Sequence, residues 1–244
     1  MVSTSSDNTR DGLTLKRPIA FYYGFGKLNS LASYQRVVVQ PAHYTADDLM
    51  WLKARGVKPL AYISLGEDAG PPATWHRSQK NTAWQTRYVK LASIAWRQHV
   101  CIQVKKYLAK GFEGLFLDTI DVVDLYPEDR KHMVELVTSL RALTSQKLLI
   151  ANRGFSLMKE LSYLVDAVVF EAFSTKWTKD GEYTPLTVNE LNWTSVIADE
   201  LRKMDMPTYA LDYADTPFLK AFAKRRARQH GFVTSVSNRD LTHL

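Results

Sequence analysis

The stretch Gly111-Phe112-Glu113-Gly114-Leu115-Phe116-Leu117-Asp118-Thr119-Ile120-Asp121 decides the fold of this chain. A glycine turn leads into a short apolar run, and the run stops abruptly at an acid. Leu115, Phe116 and Leu117 show no polar alternation, so the segment reads as a strand covered on both faces, the habit of a parallel sheet. A carboxylate at the C-terminal end of such a strand stands at the mouth of an α/β fold, where chemistry is usually done. Taken alone, Asp118 or Asp121 serves equally well as the cap of a following helix, a position Asp favours. The neighbouring segments decide between the two.

Seven other segments have the same form. Upstream lie residues 18–24, a strand ending in the pair Tyr22-Tyr23, then 36–41, β-branched and stopped by Pro41, and 59–67, ending in Gly66-Glu67. Downstream lie 148–154, ending in Asn152-Arg153-Gly154, then 167–173 with Glu171 near its end, 207–213 ending in Asp212-Tyr213, and 231–236 running into Ser237 and Asn238. Helix-period segments separate them. The first runs from an N-cap at Thr45 to Gly56. A longer one spans about 88–110, with Leu91, Ile94, Ala95, Ile102, Val104 and Leu108 as its expected inner face. Others cover about 128–145, 156–163, 188–204 and 216–230. The Gly/Pro-rich segment 68–84, carrying Trp75 and His76, reads as a long functional loop or flap.

Eight strands alternating with helices within 244 residues predict a single (β/α)8 barrel over 18–244, after a flexible polar lead-in over 1–17. A doubly wound open sheet is disfavoured, because no glycine-rich phosphate loop follows the first strand.

Composition narrows the function. At 45% hydrophobic and 23% charged, the chain can bury one sizeable core. A net charge of +7 suits an anionic partner, yet the only dense basic cluster is Lys220, Lys224, Arg225, Arg226 and Arg228. That cluster reads as a solvated helix face, and no nucleic-acid-binding motif accompanies it, so nucleic acid is not an expected partner. Cys101 is the sole cysteine, which rules out an intrachain disulfide and a cysteine zinc site. The six histidines lack metal-ligand spacing, so a metal site is not expected. No segment has the length and apolarity of a membrane span or a signal's core, so no membrane partner is expected either. The chain reads as cytoplasmic as written, or secreted if a signal has been removed, and as a monomer.

In a barrel the strand ends converge on one mouth. Here they present Tyr22, Tyr23, Gln40, Ser64, Glu67, Asp118, Asp121, Asn152, Arg153, Glu171, Asp212 and Tyr213. Four strands ending in acid are hard to explain by capping alone. Carboxylates beside aromatic faces are what carbohydrate hydrolysis needs: one protonates the leaving oxygen, another acts as nucleophile or base, and rings stack on sugars. Tyr22, Tyr23, Phe173, Trp177 and Tyr213 are the available faces, with core packing as the competing use.

The set Tyr62-Ile63-Ser64-Leu65-Gly66-Glu67, the 111–121 stretch, Asn152-Arg153-Gly154, Val169-Phe170-Glu171 and Leu211-Asp212-Tyr213-Ala214 resembles the endo-α-1,4-polygalactosaminidases, glycoside hydrolase family 114. The likeness extends from about residue 19 to 238. It implies a barrel that cleaves α-1,4-linked galactosamine or N-acetylgalactosamine polymers without a cofactor. It also implies Asp118 and Glu171 as the catalytic acids, with Glu67, Asp121, Asn152, Arg153 and Asp212 lining the pocket. One departure is Gln40-Pro41, where the family often has an acid before the proline.

The sequence leaves open which acid is the nucleophile, with Asp118 as nucleophile and Glu171 as acid/base the assignment preferred here. A carboxyl separation near 5 Å would imply retention of anomeric configuration, and about 6.5–9.5 Å inversion. The competing function is a carbohydrate-binding barrel of the same family with weak or no turnover.

Overall fold

The computed structural model describes residues 16–244, and the predicted lead-in lies outside them except for its last two residues. Eight strands follow one another around one sheet in chain order. They are β1 (Arg17–Tyr22), β2 (Tyr34–Val39), β3 (Lys58–Ser64), β4 (Gly114–Asp118), β5 (Leu148–Asn152), β6 (Ala167–Glu171), β7 (Thr208–Tyr213) and β8 (Val233–Ser237). Every neighbouring pair is parallel. Between the strands lie α1 (Leu28–Leu31), α2 (Ala46–Ala54), α3 (Ile94–Lys110), α4 (Arg130–Thr144), α5 (Met158–Leu161), α6 (Val188–Lys203) and α7 (Pro217–Gln229). This is the predicted (β/α)8 barrel. No ladder joins β8 back to β1 among the described residues. The C-terminal tail closes that seam instead: the Tyr23 N–H donates to the Leu241 carbonyl at 2.7 Å, and the Leu241 side chain is buried among the barrel-interior residues.

Strand periodicity sorts the core into two layers. In β4, Phe116 points into the barrel with Phe21, Leu60, Ile150, Val169 and Leu211, while Leu115 and Leu117 pack outward among the helix side chains. Phe116 meets Phe21 edge-on at 5.5 Å, and burying such a ring contributes about 2–3 kcal/mol. The parity that sends Phe116 inward sends Asp118, two residues on, to the inner face at the top of the barrel.

Local signals at the helix ends behave as their chemistry requires. Thr45 caps α2, its hydroxyl accepting from the Asp48 N–H at 3.1 Å while the Asp48 carboxylate accepts from Thr45 N. Gly56 follows that helix at φ +69°, a conformation without steric cost only for glycine.

Three expectations need correction. Residues 68–84 are not a structureless loop: Glu67–Asp68, His76–Asn81 and Thr86–Val89 form a small antiparallel sheet above the barrel. The sheet is pinned where Arg77 donates to the buried Asp129 carboxylate at 2.8 Å. The segment expected to open the long helix is therefore strand, and α3 starts at Ile94. Its phase differs as well. Ile94 and Ile102 are mainly solvent-exposed, and the buried side chains are Trp96, Val100 and Val104. Trp96 sets that phase, because its indole N–H donates to the Leu65 carbonyl at 2.8 Å and so needs the inner face. The basic stretch on α7 is only partly a solvated face. Arg226 is buried against the Phe173 ring and donates to the Phe173 and Leu191 carbonyls, Thr194 and Ser195.

Candidate active site

Three successive strands end in an inward polar side chain followed at once by a sharp turn. Asp118, Asn152 and Glu171 close β4, β5 and β6, and the next residues, Thr119, Arg153 and Ala172, have φ of 60°, 55° and 53°. A non-glycine residue in this left-handed region costs about 1–2 kcal/mol, so the surroundings must hold it there. Each is held. Arg153 N–H donates to the Val169 carbonyl at 2.9 Å and Ala172 N–H to the Leu211 carbonyl at 2.8 Å. The Thr119 hydroxyl oxygen accepts from the N–H groups of Leu65 and Gly66 at 3.1 and 2.7 Å, tying the turn after β4 to the turn after β3. Gly66 leaves room for that approach: a Cβ there would stand 2.5 Å from the Thr119 carbonyl oxygen.

The turns bring the two predicted catalytic acids onto one donor. Asn152 Nδ2 lies 2.8 Å from Asp118 Oδ1 and 2.6 Å from Glu171 Oε2, one amide hydrogen for each carboxylate. Those two oxygens are thus no farther apart than the two bonds laid end to end, a ceiling that admits the roughly 5–5.5 Å spacing of retaining glycosidases. The opposite amide orientation would face both carboxylates with a carbonyl oxygen, a repulsive arrangement. Tyr62 donates to Asp118 Oδ2 at 2.8 Å, and Tyr213 donates to Glu171 Oε1. Tyr23 packs edge-on against Tyr62 at 5.1 Å.

This environment favours the neutral form of Glu171. Burial raises its pKa first and the Asp118 charge adds to the rise, while the bonds from Asn152 and Tyr213 and the charge of Arg153 oppose it. Burial also raises Asp121, partly offset by Arg153, whose Nε lies 3.3 Å from Asp121 Oδ2. That pair is a charge contact; the Arg153 Nε–H itself is not aligned on any described acceptor. Burial and the nearby carboxylates raise Tyr23, Tyr62 and Tyr213 well above ordinary phenol values, so all three remain protonated donors.

Above these groups lies a cavity of about 920 Å³. Its floor is Asp118, Asn152 and Glu171 with their tyrosines, and its walls come from the loops. The sheet after β3 contributes Trp84, the segment after β6 contributes Trp177, and the C-terminal tail contributes Arg239. The Arg239 guanidinium sits 4.1 Å from the Trp177 ring centre and 4.8 Å from that of Trp84, joining three separate loops at the rim.

Of the residues predicted from sequence, Tyr23, Gln40, Ser64, Glu67, Asp118, Asp121, Asn152, Arg153, Glu171 and Tyr213 line the cavity. Ser64 and Glu67 are engaged in holding the loops together. The Ser64 hydroxyl bonds to Thr119 Oγ1 at 2.9 Å, and Glu67 accepts from Asn81 and Thr86, holding the small sheet against the rim.

Tyr22, Phe173 and Asp212 do not line it. Tyr22 and Asp212 have the outward parity of their strands. Tyr22 is buried with the helix layer and donates to the Phe25 carbonyl, and Asp212 accepts from the Ser174 and Thr175 N–H groups at 2.6 and 2.9 Å. Phe173 lies beyond the turn at Ala172, where strand parity no longer applies, and is buried against Phe170 and Phe232. Tyr62 is the residue that the sequence reading missed. It stands two residues before Ser64 on the inner face of β3, and parity alone would have found it.

The sequence profile of glycoside-hydrolase family GH114 matches residues 4–244. The chain belongs to that family. Its fold superposes on the glycoside hydrolase domain of PelA from Pseudomonas aeruginosa with a TM-score of 0.85 at 29% identity, covering 93% of this chain and 96% of that one. It also superposes on Ega3 of Aspergillus fumigatus, solved with galactosamine, with a TM-score of 0.69 at 14% identity over 98% and 97% of the two chains. An uncharacterized protein of Deinococcus radiodurans is 25% identical over 91% of this chain and 79% of its own length. This GH114 barrel is accordingly a glycoside hydrolase.

Proposed function

We propose that this GH114 barrel cleaves α-1,4-linked galactosamine or N-acetylgalactosamine polymers by double displacement, with Asp118 as nucleophile and Glu171 as acid/base. The shared Asn152 amide is the observation that supports the assignment, because it bonds one oxygen of each of two carboxylates in unlike surroundings. Glu171, held neutral, gives its proton to the glycosidic oxygen as the bond to the anomeric carbon breaks. Asp118 attacks that carbon and forms a glycosyl ester. Glu171, now ionised, takes a proton from water, whose oxygen displaces Asp118 and releases the sugar. Tyr62 and Tyr213 hold the two carboxylates in position throughout.

The charge of the cavity supports an amino sugar. Glu67, Asp118, Asp121, Asp124, Glu171 and Asp240 all line it. The basic side chains at the rim are engaged: Arg153 beside Asp121, Lys176 with Glu190 at 2.5 Å, and Arg239 between two indoles. The +7 charge of the whole chain opposes a polycation at long range, but charges beyond about 10 Å are largely screened at moderate salt. The galactosamine bound by Ega3 points the same way. In this reading Asp121 receives the sugar amine, and Gln40 and Tyr23 receive hydroxyls.

Release of reducing ends from acetylated and deacetylated α-1,4-galactosaminoglycan tests the proposal, using the wild type, Asp118→Asn and Glu171→Gln. Cleavage by the wild type, with each variant reduced by a factor of 10³ or more, is the expected result. Full activity in both variants would overturn the assignment of the pair. Binding of the polymer without cleavage by the wild type would make the barrel a binding module.

A further inference from the structure

Beside the catalytic cavity lies a second hollow of about 250 Å³, reached across Asp121, Asp124 and Arg153, which line both. Its far wall is Trp193 on α6, with Phe155. Trp193 is 48% exposed, a large apolar area to leave in water on a helix that buries Thr194, Ala198 and Leu201. The indole is nonetheless fixed in orientation. Phe155 and Phe170 both contact it in edge-to-face geometry with ring centres 6.2 Å away. An oriented, half-exposed indole at the end of a polar trough is a platform for the C–H face of a sugar ring.

The polar side of the trough has unused capacity. Asp124 Oδ1 accepts from the Ser156 hydroxyl at 2.6 Å, whereas Oδ2 has no described partner. The Arg153 side chain makes its charge contact with Asp121 but no aligned hydrogen bond through Nε. Trp84, Trp177 and Arg239, which join three loops around the catalytic cavity, do not line this second hollow, so the trough leaves the cavity on the side of the β4 and β5 loops.

We propose that this trough is a distal subsite in which Trp193 stacks on a hexosamine unit of the same polymer chain, its amine against Asp124 and a hydroxyl or acyl oxygen against Arg153. The subsite rests on the reading of the barrel as a galactosaminoglycan hydrolase. It assigns Trp193 a part in holding long chains and none in bond cleavage.

The test compares kinetics of the wild type, Trp193→Ala, Trp193→Leu and Trp193→Phe on long α-1,4-galactosaminoglycan and on a short activated α-galactosaminide. Loss of one stacking contact predicts that KM for the polymer rises about 10-fold in the alanine and leucine variants. The phenylalanine variant should recover most of that loss. kcat on the polymer and turnover of the short substrate should change less than about twofold. Leucine keeps apolar cover on Phe155 and Phe170 without a flat face, so a leucine variant equal to wild type would reduce Trp193 to packing and overturn the subsite. An unchanged polymer KM in the alanine variant would overturn it too. A wild type that cleaves neither substrate removes the functional reading itself. A wild type that cleaves both, with all variants alike, removes the subsite alone.

Discussion

The carboxylates of Asp118 and Glu171 are joined through a single nitrogen, Asn152 Nδ2, at 2.8 and 2.6 Å. Each acid is bonded to its own hydrogen of that one amide, so the geometry of the pair belongs to Asn152 as much as to the acids. Replacing Asn152 with alanine should lower kcat by about 10²-fold or more while leaving KM within a few-fold, as loss of one preorganised donor does elsewhere. Steady-state kinetics on the polymer measures the split.

Tyr213 donates to Glu171, and that bond favours the ionised carboxylate. Phenylalanine removes the donor, so the Glu171 pKa rises further above its ordinary value. The basic limb of kcat/KM, which reports the free enzyme's acid, should move to higher pH in Tyr213→Phe. Its kcat should fall about 10-fold because the ionised form needed in the second step is less stabilised. A limb that moves to lower pH would contradict the assignment of Glu171 as acid.

Asp212 offers a prediction about stability. Burial raises its pKa to about 6, with the Ser174 and Thr175 N–H groups only partly opposing the rise, against about 3.9 in an unfolded chain. The folded protein therefore binds this proton more tightly. The contribution to stability is present in full below about pH 4 and is lost as pH rises through about 6. It amounts to about 2–3 kcal/mol. Asp212→Asn keeps an acceptor for the two N–H groups and carries no charge. Urea denaturation between pH 4 and 7 should show a smaller decline of stability with rising pH in this variant than in the wild type.

Gly66 is held to its identity by a close approach. An added Cβ would stand 2.5 Å from both the Thr119 carbonyl oxygen and Val122 Cγ1. Gly66→Ala should destabilise the fold by about 1–3 kcal/mol and displace the turn that follows Asp118, lowering kcat as well. Calorimetry and kinetics on the same preparation check both effects.

The eight strands were legible because each is a short apolar run closed by polar residues, and their order set the topology. The two proposed catalytic acids were legible for the same reason, since Asp118 and Glu171 are the last residues of their strands. Tyr22 and Asp212 misled because adjacent strand residues face opposite layers, and the choice within Tyr22-Tyr23 or Asp212-Tyr213 depends on register rather than residue type. Phe173 misled because the left-handed turn at Ala172 resets the direction of the chain. The small sheet over 67–89 was hidden by its composition: His76–Asn81 is a polar strand that buries nothing on a regular alternation. The rim formed by Trp84, Trp177 and Arg239 joins residues up to 155 positions apart (84 to 239), and no local pattern announces such a contact.

The configuration of the first product formed tests the central claim most directly. Proton NMR of α-1,4-galactosaminoglycan during the first turnovers should show the α-anomer of the new reducing end appearing first and only later equilibrating with the β-anomer, as a double displacement through Asp118 requires. The β-anomer appearing first would mean inversion, and would contradict the roles assigned to Asp118 and Glu171.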